Sequence, residues 1–478
     1  MRFMCQYPDT RRIFQGNRPR LSGASAALLS TLAMSLVLAT ETFAAQDVPG
    51  QAVNGQPYGP PRSDIVSPSP DIAKVGPVAP GIPTTLHELA VTTSATHPQV
   101  KSVEGRIRAA GYDVRGAKWL RFPSLTVEAL AITKGSVNAA QDGTVLNAVI
   151  EQPIWAGGRI GAAIDRAKAQ LLVQRAALDE VARDLSLRVV QAYFEIAAAA
   201  RRTEILKDAL ARHRELSDTI GRRVEQQISP RSDLDLAMAR AAQIEQQLAL
   251  AQAQRSGAVN TLSELTGDAN MLLGDVPAYD PALHHPSEVG AVAKALACDP
   301  RSARLSAESV VARAEQKSAK AALLPQLIGQ LSSNEVLGER VGLALRAQTG
   351  NGLSQAAAAQ GAGERAQASE QAIVSAQREL REALRLDFVN NSAARQRIGS
   401  AATAATSSLF VVESYKRQFI AGRRTWLDVM NALQESTNMR LATVDSETSA
   451  QLTTARIALR TCTWQPRLLA GGTEPNHG

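Results

Sequence analysis

The chain has 478 residues, of which 52 are lysine or arginine, 45 are acidic and only 4% are aromatic. Residues 1–45 carry five basic and two acidic side chains, so +3 of the formal net charge of +7 belongs to them and the remainder keeps +4. A nucleic-acid surface needs a basic stripe with aromatic rings for stacking. This composition argues against a nucleic-acid partner.

Residues 1–45 have the composition of an export signal peptide. Basic residues precede an apolar run at residues 24–39, and small residues (Thr42, Ala44 and Ala45) follow it. The alternative, a membrane anchor, is less favoured because the run is short for a spanning helix. No cysteine follows the run, so amino-terminal lipidation has no acceptor. Residues 46–84 are rich in proline and predict a flexible segment.

Residues 160–267 predict a very long helical hairpin. Apolar or small side chains recur every seven residues along its first arm, as in a coiled-coil seam. After a break at Ser229-Pro230, a second arm repeats the pattern and ends at Gly267. The arms are about 95 Å and 55 Å long at 1.5 Å per residue. The seam positions are Ile164, Leu171, Leu178, Leu185, Ala192, Ala199, Leu206 and Ile220, then Leu234, Ala237, Ala241, Ile244, Leu248, Ala251, Ala258, Leu262 and Leu265.

Upstream of the hairpin, the periodicity changes from helical to extended. Residues 86–122 have helical spacing, which ends at Pro123. Residues 124–133 and 144–152 alternate as strands, and Asp142-Gly143 is a turn signal between them. Pro153 and Gly157-Gly158 then predict the end of the strand and the start of the long helix.

The same order of elements occurs twice. His97-Pro98 matches Asp299-Pro300, and Pro123 matches Pro325, both 202 residues apart. The second copy predicts strands at 327–332 and 340–347, a helix at 353–418 and a hairpin tip at 422–429. We align this tip with residues 229–236 at an offset of 193, which places Asp428 over Asp235.

We therefore predict a mainly α chain with a small β part, built from duplicated helix-strand-strand-long helical hairpin repeats. Residues 85–268 form the first repeat, 269–288 a connector, 289–464 the second repeat and 465–478 a flexible tail. Four strands leave open edges and cannot enclose a lumen, so closure in a membrane would require further copies of the chain. Outside the signal, no run of eighteen apolar residues predicts a spanning helix. The alternative is a small soluble sheet that caps a helical rod.

The sequence favours a non-enzymatic function. Gly157-Gly158-Arg159-Ile160-Gly161 follows a strand and opens a helix, but it lacks the spacing and the lysine of a phosphate-binding loop. We find no nucleophile motif, no paired-carboxylate site, no metal-ligand set and no cofactor motif.

These features together resemble the TolC family of outer-membrane factors. The resemblance covers residues 85–464 and rests on the duplication, on Gln152-Pro-Ile-Trp-Ala-Gly-Gly158 and on Gly422-Arg-Arg-Thr-Trp-Leu-Asp-Val429. It implies a homotrimer, with a twelve-stranded β-barrel in the outer membrane continued by an α-helical barrel across the periplasm. It also implies the passive exit duct of a tripartite type I secretion or efflux system. The partners would be outer-membrane lipid, a periplasmic adaptor and an inner-membrane ABC or proton-driven transporter.

The resemblance further implies an iris-like periplasmic gate at the hairpin tips. Its residues would be Asp235 on the first hairpin and Phe419, Arg424, Asp428 and Asn431 on the second, with Arg424 close to Asp235. Phe419 and Asn431 stand where the family's better-known pattern has a tyrosine and an acidic residue, which predicts a less tightly latched entrance. Helix capping is the alternative role for the acidic tip residues.

Two further sets of residues follow from the family layout. Trp119, Phe122 and Trp155 flank the strands where a membrane interface would lie, although core packing explains such residues equally well. Cys298 and Cys462 fall near the same height of the helical barrel, which predicts a disulfide between them. The alternative overall function is a periplasmic coiled-coil scaffold or adaptor with no channel activity.

Overall fold

The computed structural model describes residues 75–132, 143–268, 276–334, 338–347 and 352–467. The chain divides into two compact units, Met1–Ser69 and Pro70–Gly478, and every described residue belongs to the second. The predicted signal peptide, most of the proline-rich segment, the start of the connector and most of the tail lie outside the described residues.

The described part of the first repeat contains four helices and two strands. Helices α1 (Thr84–Thr96) and α2 (Pro98–Trp119) precede strands β1 (Ser124–Ile132) and β2 (Gly143–Trp155), and the long helices α3 (Arg159–Glu225) and α4 (Arg231–Thr266) follow.

The second repeat has the same order of elements. Helices α5 (Ala291–Cys298) and α6 (Pro300–Ala321) precede β3 (Gln326–Asn334) and β4 (Gly338–Arg346), which lead into α7 (Ser354–Ile420) and α8 (Trp426–Arg460). The predicted duplication and fold class are therefore present in the described residues.

The single helix predicted at residues 86–122 is in fact two. Pro98 forces His97 out of the helical region, to a ψ of 136°, and this separates α1 from α2. The Nδ1 atom of His97 then accepts a hydrogen bond from the backbone N–H of Gln99 (3.2 Å) and caps α2. Asp299 does the same before α6, where its carboxylate accepts from the backbone N–H of Ser302 (2.8 Å).

Two constant spacings relate the repeats. Helix α6 and strand β3 begin 202 residues after α2 and β1, whereas β4 and α7 begin 195 residues after β2 and α3. The change of seven arises between the strands, where residues 133–142 are replaced by residues 335–337. Helices α3 and α7 each have 67 residues, which corresponds to about 100 Å.

The tip alignment at an offset of 193 is wrong by two residues. The first tip closes with the N–H of Ile228 donating to the carbonyl of Arg223, and the second with Arg423 donating to Gln418, both at 2.8 Å. These equivalent bonds lie 195 residues apart. The counterpart of Asp428 is consequently Asp233, the third residue of α4, rather than Asp235.

The four strands form one antiparallel sheet in the order β1-β2-β3-β4. Within it, β2 pairs with β3 across the two repeats, with Ile150 opposite Leu331. Pro153 does not end β2 as predicted, because the strand continues to Trp155 through an irregularity in register. Proline is tolerated at such a site because the ladder is locally disrupted there. Strands β1 and β4 are the free edges.

Helix α3 is the centre of the helical packing. Helices α1, α2, α4, α6 and α8 all contact it, and α7 packs on α6 and α8. The predicted seam is confirmed: Leu185, Ala192 and Ile220 are at most 2% exposed. Within the described parts of the chain, none of the helices is both long and apolar enough to cross a membrane.

Candidate functional site

One face of the sheet is apolar and exposed. Directly paired residues of antiparallel strands point to the same side, so the row Leu125, Ile150, Leu331 and Val341 lies on one face. Val341 is 85% exposed, and Leu343 and Leu345 beside it are 70% and 72% exposed. Such a surface is costly in water, at roughly 25 cal/mol per Å² of apolar area.

The opposite face is mostly polar. It includes an ion pair between Arg346 and Glu151, whose Nη2 and Oε1 atoms are 3.4 Å apart. Other polar side chains on this face include Ser124, Thr126, Glu128, Asn147, Gln326, Gln330, Ser332 and Arg340. Strands with one apolar and one polar face are typical of a sheet placed between lipid and water.

The three aromatic side chains predicted to flank the strands lie at one end of the sheet. Trp119 ends α2, Phe122 precedes β1, and Trp155 ends β2, whose Glu151 pairs with Ser124 at the start of β1. They are 74%, 66% and 48% exposed. Their exposure argues against core packing within this chain and fits a position at a membrane–water boundary.

The two hairpin tips share one apolar cluster. Ile220 of α3, Ala237 of α4 and Met430 of α8 are each at most 1% exposed. The other buried members are Leu216, Val412, Phe419, Val429 and Leu433. Both hairpins of one chain are therefore packed together where they end.

Phe419 lies inside this cluster. It is 8% exposed, and the guanidinium of Arg223 lies 5.4 Å from its ring centroid. Its apolar ring packs between the two hairpins of one chain, and its role at a gate remains a prediction.

Arg424 lies against its own hairpin. Its guanidinium stacks on the ring of Tyr415, 4.0 Å from the centroid, and its Nε atom donates to Oε1 of Gln418 (3.3 Å). Its Nη1 atom is 3.9 Å from the carboxylate of Asp428. A half-exposed pair at this distance contributes little stability, so stacking is the main contact that orients the arginine.

The predicted pair between Arg424 and Asp235 does not form among the described residues of one chain. Asp235 instead lies 3.9 Å from Arg231, and both side chains are largely exposed, as is Asn431. Asp428 accepts from the N–H and the hydroxyl of Thr425 in a capping box. These hydrogen bonds from Thr425 lower the pKa of Asp428.

Ion pairs join the two hairpins above the tips. Arg201 binds Glu447 and Arg202 binds Asp445, each at 2.6 Å, along the contact between α3 and α8. Asp208 of α3 accepts from Arg440 of α8. Partial burial acts to raise the pKa of Asp208, but the hydrogen bonds and charges of Arg440 and Arg212 together lower it. Sequence reasoning missed these pairs, because their members are more than 200 positions apart.

A second cluster lies where the end of α5 meets the end of α8. Cys298 and Cys462 form a disulfide there. Arg183 of α3 pairs with Asp299 beside it. Nearby, the indole N–H of the buried Trp464 donates to Nδ1 of His87 (2.9 Å). Trp464, the last residue of the predicted second repeat, is 1% exposed and packs into the core.

His213 was also missed. It is fully buried in α3, with Nδ1 2.9 Å from the sulfur of Met430. Its Nε2 atom has no hydrogen-bond partner among the described residues. Burial lowers the pKa of His213, with a smaller contribution from the charge of Arg240. A lone histidine in a helical seam gives no signal in the sequence that would have identified it.

No grouping of three or more metal-binding side chains occurs within the described ranges. The site is thus a set of surfaces, namely the amphipathic sheet, the paired tips and the cluster around the disulfide.

Comparison with known proteins agrees with this arrangement. Residues 89–268 match the family described as outer membrane efflux protein. The outer membrane efflux protein BepC of Brucella suis is 26% identical over 233 residues, which cover 46% of this chain and 50% of the relative. The chain thus matches about half the length of that protein.

Solved structures share the fold over nearly their whole length. The outer-membrane channel OprN superposes with a TM-score of 0.70 at 17% identity, covering 82% of this chain and 97% of OprN. The outer membrane protein VceC of Vibrio cholerae gives 0.68 at 18% identity, covering 79% and 96%. The matched family consists of channel proteins and is not an enzyme family. Residues 89–268 are thus similar to the outer membrane efflux proteins, and the chain shares its fold with the solved outer-membrane proteins OprN and VceC.

Proposed function

We propose that this chain is an outer-membrane export channel, the passive exit duct of a tripartite type I secretion or efflux system. The observation that carries this proposal is the sheet, which has an exposed apolar face, a polar opposite face and two free edges. Lipid would cover the apolar face, and further copies of the chain would pair with the edges. Three copies would supply twelve strands, and the long helices would continue the duct into the periplasm.

The alternative, a periplasmic scaffold or adaptor, does not account for the sheet. A water-soluble cap would expose Val341, Leu343 and Leu345 to solvent next to open strand edges, an arrangement that promotes aggregation. The family match and the shared fold of OprN and VceC also favour the channel.

The paired tips are the proposed gate, at the end of the helices farthest from the sheet. Arg424, Asp428, Asp235 and Asn431 are exposed or partly exposed there and are free to meet a neighbouring copy. The proposed partners are a periplasmic adaptor and an inner-membrane ABC or proton-driven transporter. Such a partner would supply the energy, because a passive duct supplies none.

A matched pair of substitutions tests the membrane assignment. Leu343 and Ala344 are neighbours on opposite faces of β4. Leu343→Lys should cost about 2–4 kcal/mol of membrane stability if its side chain faces the lipid interior, whereas Ala344→Lys should be tolerated. The readout is heat-modifiable oligomer in outer-membrane fractions. Recovery of the unmodified protein as a soluble periplasmic monomer would support the scaffold instead.

A further inference from the structure

The duplication is regular enough that contacts seen in one repeat predict the equivalent contacts of the other. Ser124 pairs with Glu151 in the first repeat, and Gln326 pairs with Arg346 in the second. These partners are related by 202 and 195 residues, the spacings that relate the helices on either side. The equivalence therefore holds for individual strand pairs.

The pairing of β2 with β3 shows the strand register with which the second repeat lies beside the first. There β2 lies beside β3, with Ile150 opposite Leu331, Glu151 opposite Gln330 and Gln152 opposite Gly329. Applying the same step to the second repeat places β4 beside the β1 strand of another copy. Both of these strands are free edges of the described sheet.

We propose that β4 of one copy pairs with β1 of the next in a defined register, with Arg346 opposite Glu128. Adding 195 to the β2 residues and subtracting 202 from the β3 residues also places Leu345 opposite Ala129 and Ala347 opposite Val127. This inference rests on the proposed function, which supplies the neighbouring copy.

Charge and exposure agree with this register. Arg346 and Glu128 lie on the polar face and are exposed in the single chain. Directly opposed side chains on antiparallel strands have Cβ atoms about 4.5–5.5 Å apart, close enough for an ion pair. The apolar face would at the same time continue from Leu345 to Ala129.

The helical contacts between the repeats make the proposed pair between Arg346 and Glu128 more important. Four ion pairs join α3 to α6 between the repeats: Asp165–Lys317, Arg166–Glu315, Glu180–Arg304 and Arg183–Asp299. At the equivalent contact between copies, α7 would meet α2. The corresponding residues there are Gln360 with Arg115, Gly361 with Asp113, Ser375 with Ser102 and Arg378 with His97.

None of these four equivalents joins opposite charges. The seam between copies therefore loses the ion pairs of the helical contact but gains one between the strands, where the in-chain equivalent is Glu151 opposite Gln330. Arg346 and Glu128 would thus set the strand register when copies assemble.

Cysteine cross-linking of the full-length protein in membranes tests the register. Ala129→Cys with Leu345→Cys should give disulfide-linked chains on a non-reducing gel. The matched control is Val127→Cys with Leu345→Cys, which lies on the same face but is displaced by two positions and should cross-link several-fold less. Three strand spacings, about 14 Å, separate β1 and β4 within one chain and prevent an internal link.

A charge exchange gives an independent readout. Glu128→Arg should lower the temperature at which the oligomer dissociates, and adding Arg346→Glu should restore it. Glu151→Gln, which removes the in-chain partner of Arg346, is the control for loss of that contact. Preferential cross-linking of the displaced pair, or an oligomer that cross-links in neither pair, would overturn the register while leaving the channel intact. A monomeric unmodified protein would overturn both proposals.

Discussion

Thr425 and Asp428 cap each other at the start of α8. The hydroxyl of Thr425 donates to Oδ2 of Asp428 (2.8 Å), and the backbone N–H of Asp428 donates back to that hydroxyl (3.3 Å). At the other tip, Asp233 occupies the position equivalent to Asp428. The N-cap residue there is Pro230, whose side chain cannot form a capping hydrogen bond. Only the second tip therefore has a reciprocal cap.

We expect Thr425→Ala to destabilise the second tip by about 1 kcal/mol, as is usual for loss of a helix cap. Hydrogen exchange of the first turn of α8 should report this as faster exchange, with the turn of α4 unchanged. Equal acceleration in both helices would indicate a general loss of packing instead of a lost cap.

The same cap predicts a dependence on acid pH. Its hydrogen bonds lower the pKa of Asp428 below the ordinary 3.8, so the stabilisation is complete above that value and is lost as pH falls through the folded-state pKa. Exchange in the α8 turn should accelerate below pH 3.8 in the unmodified protein. In Asp428→Asn that acceleration should be absent.

His213 predicts a second pH effect, nearer neutrality. Because burial lowers its pKa from 6.5, the folded state binds this proton less readily than the unfolded state. The contribution of His213 to stability is therefore complete above pH 6.5 and declines as pH falls below it. Thermal unfolding followed from pH 8 to pH 5 should show a smaller decline in His213→Gln. His285→Gln, an exposed histidine in the connector, is the matched control and should follow the unmodified protein.

The disulfide predicts a large loss of stability on reduction. Its cysteines are 164 residues apart, and closing a loop of that size contributes about 4–5 kcal/mol in the chain-entropy treatment. Cys298→Ser with Cys462→Ser should therefore unfold at a markedly lower temperature, and dithiothreitol should have no further effect on that variant. A non-reducing peptide map of the unmodified protein that shows two free thiols would contradict this expectation.

The tips predict an effect on conductance. Arg424→Ala removes the stacked guanidinium and its contacts with Gln418 and Asp428, and we expect it to raise the closed-state current of the reconstituted channel. Arg214→Ala, which breaks the exposed pair with Glu245 in the middle of the first hairpin, should leave the current unchanged. Equal currents in all three proteins would remove Arg424 from the gate.

The long helices and their seam could be predicted because seven-residue periodicity reports directly on which side chains are buried. Gly267 has the left-handed φ of 76° that its position as a helix C-cap requires. Two predictions from the local sequence, both at prolines, were wrong. We passed over Pro98 as a helix break, and we gave Pro153 too much weight as a strand end.

The tips were harder for a physical reason. The arginine and aspartate spacing at residues 231–235 and 424–428 is the same, but backbone hydrogen bonds and not side-chain spacing fix the equivalence of two turns. Likewise, the burial of Phe419 depends on helices that meet from distant parts of the chain. No local pattern contains that information.

The identical length of α3 and α7 limits which changes in length the chain can accept. Both hairpin ends must reach the same depth to share the cluster around Ile220 and Met430. Adding seven residues to α3 alone would shift its end by about 10 Å and separate the two, whereas the linker between β1 and β2 already differs by seven residues from its counterpart between β3 and β4. Insertions and deletions should accordingly accumulate among relatives in the strand connections, and the paired helices should lengthen or shorten only together.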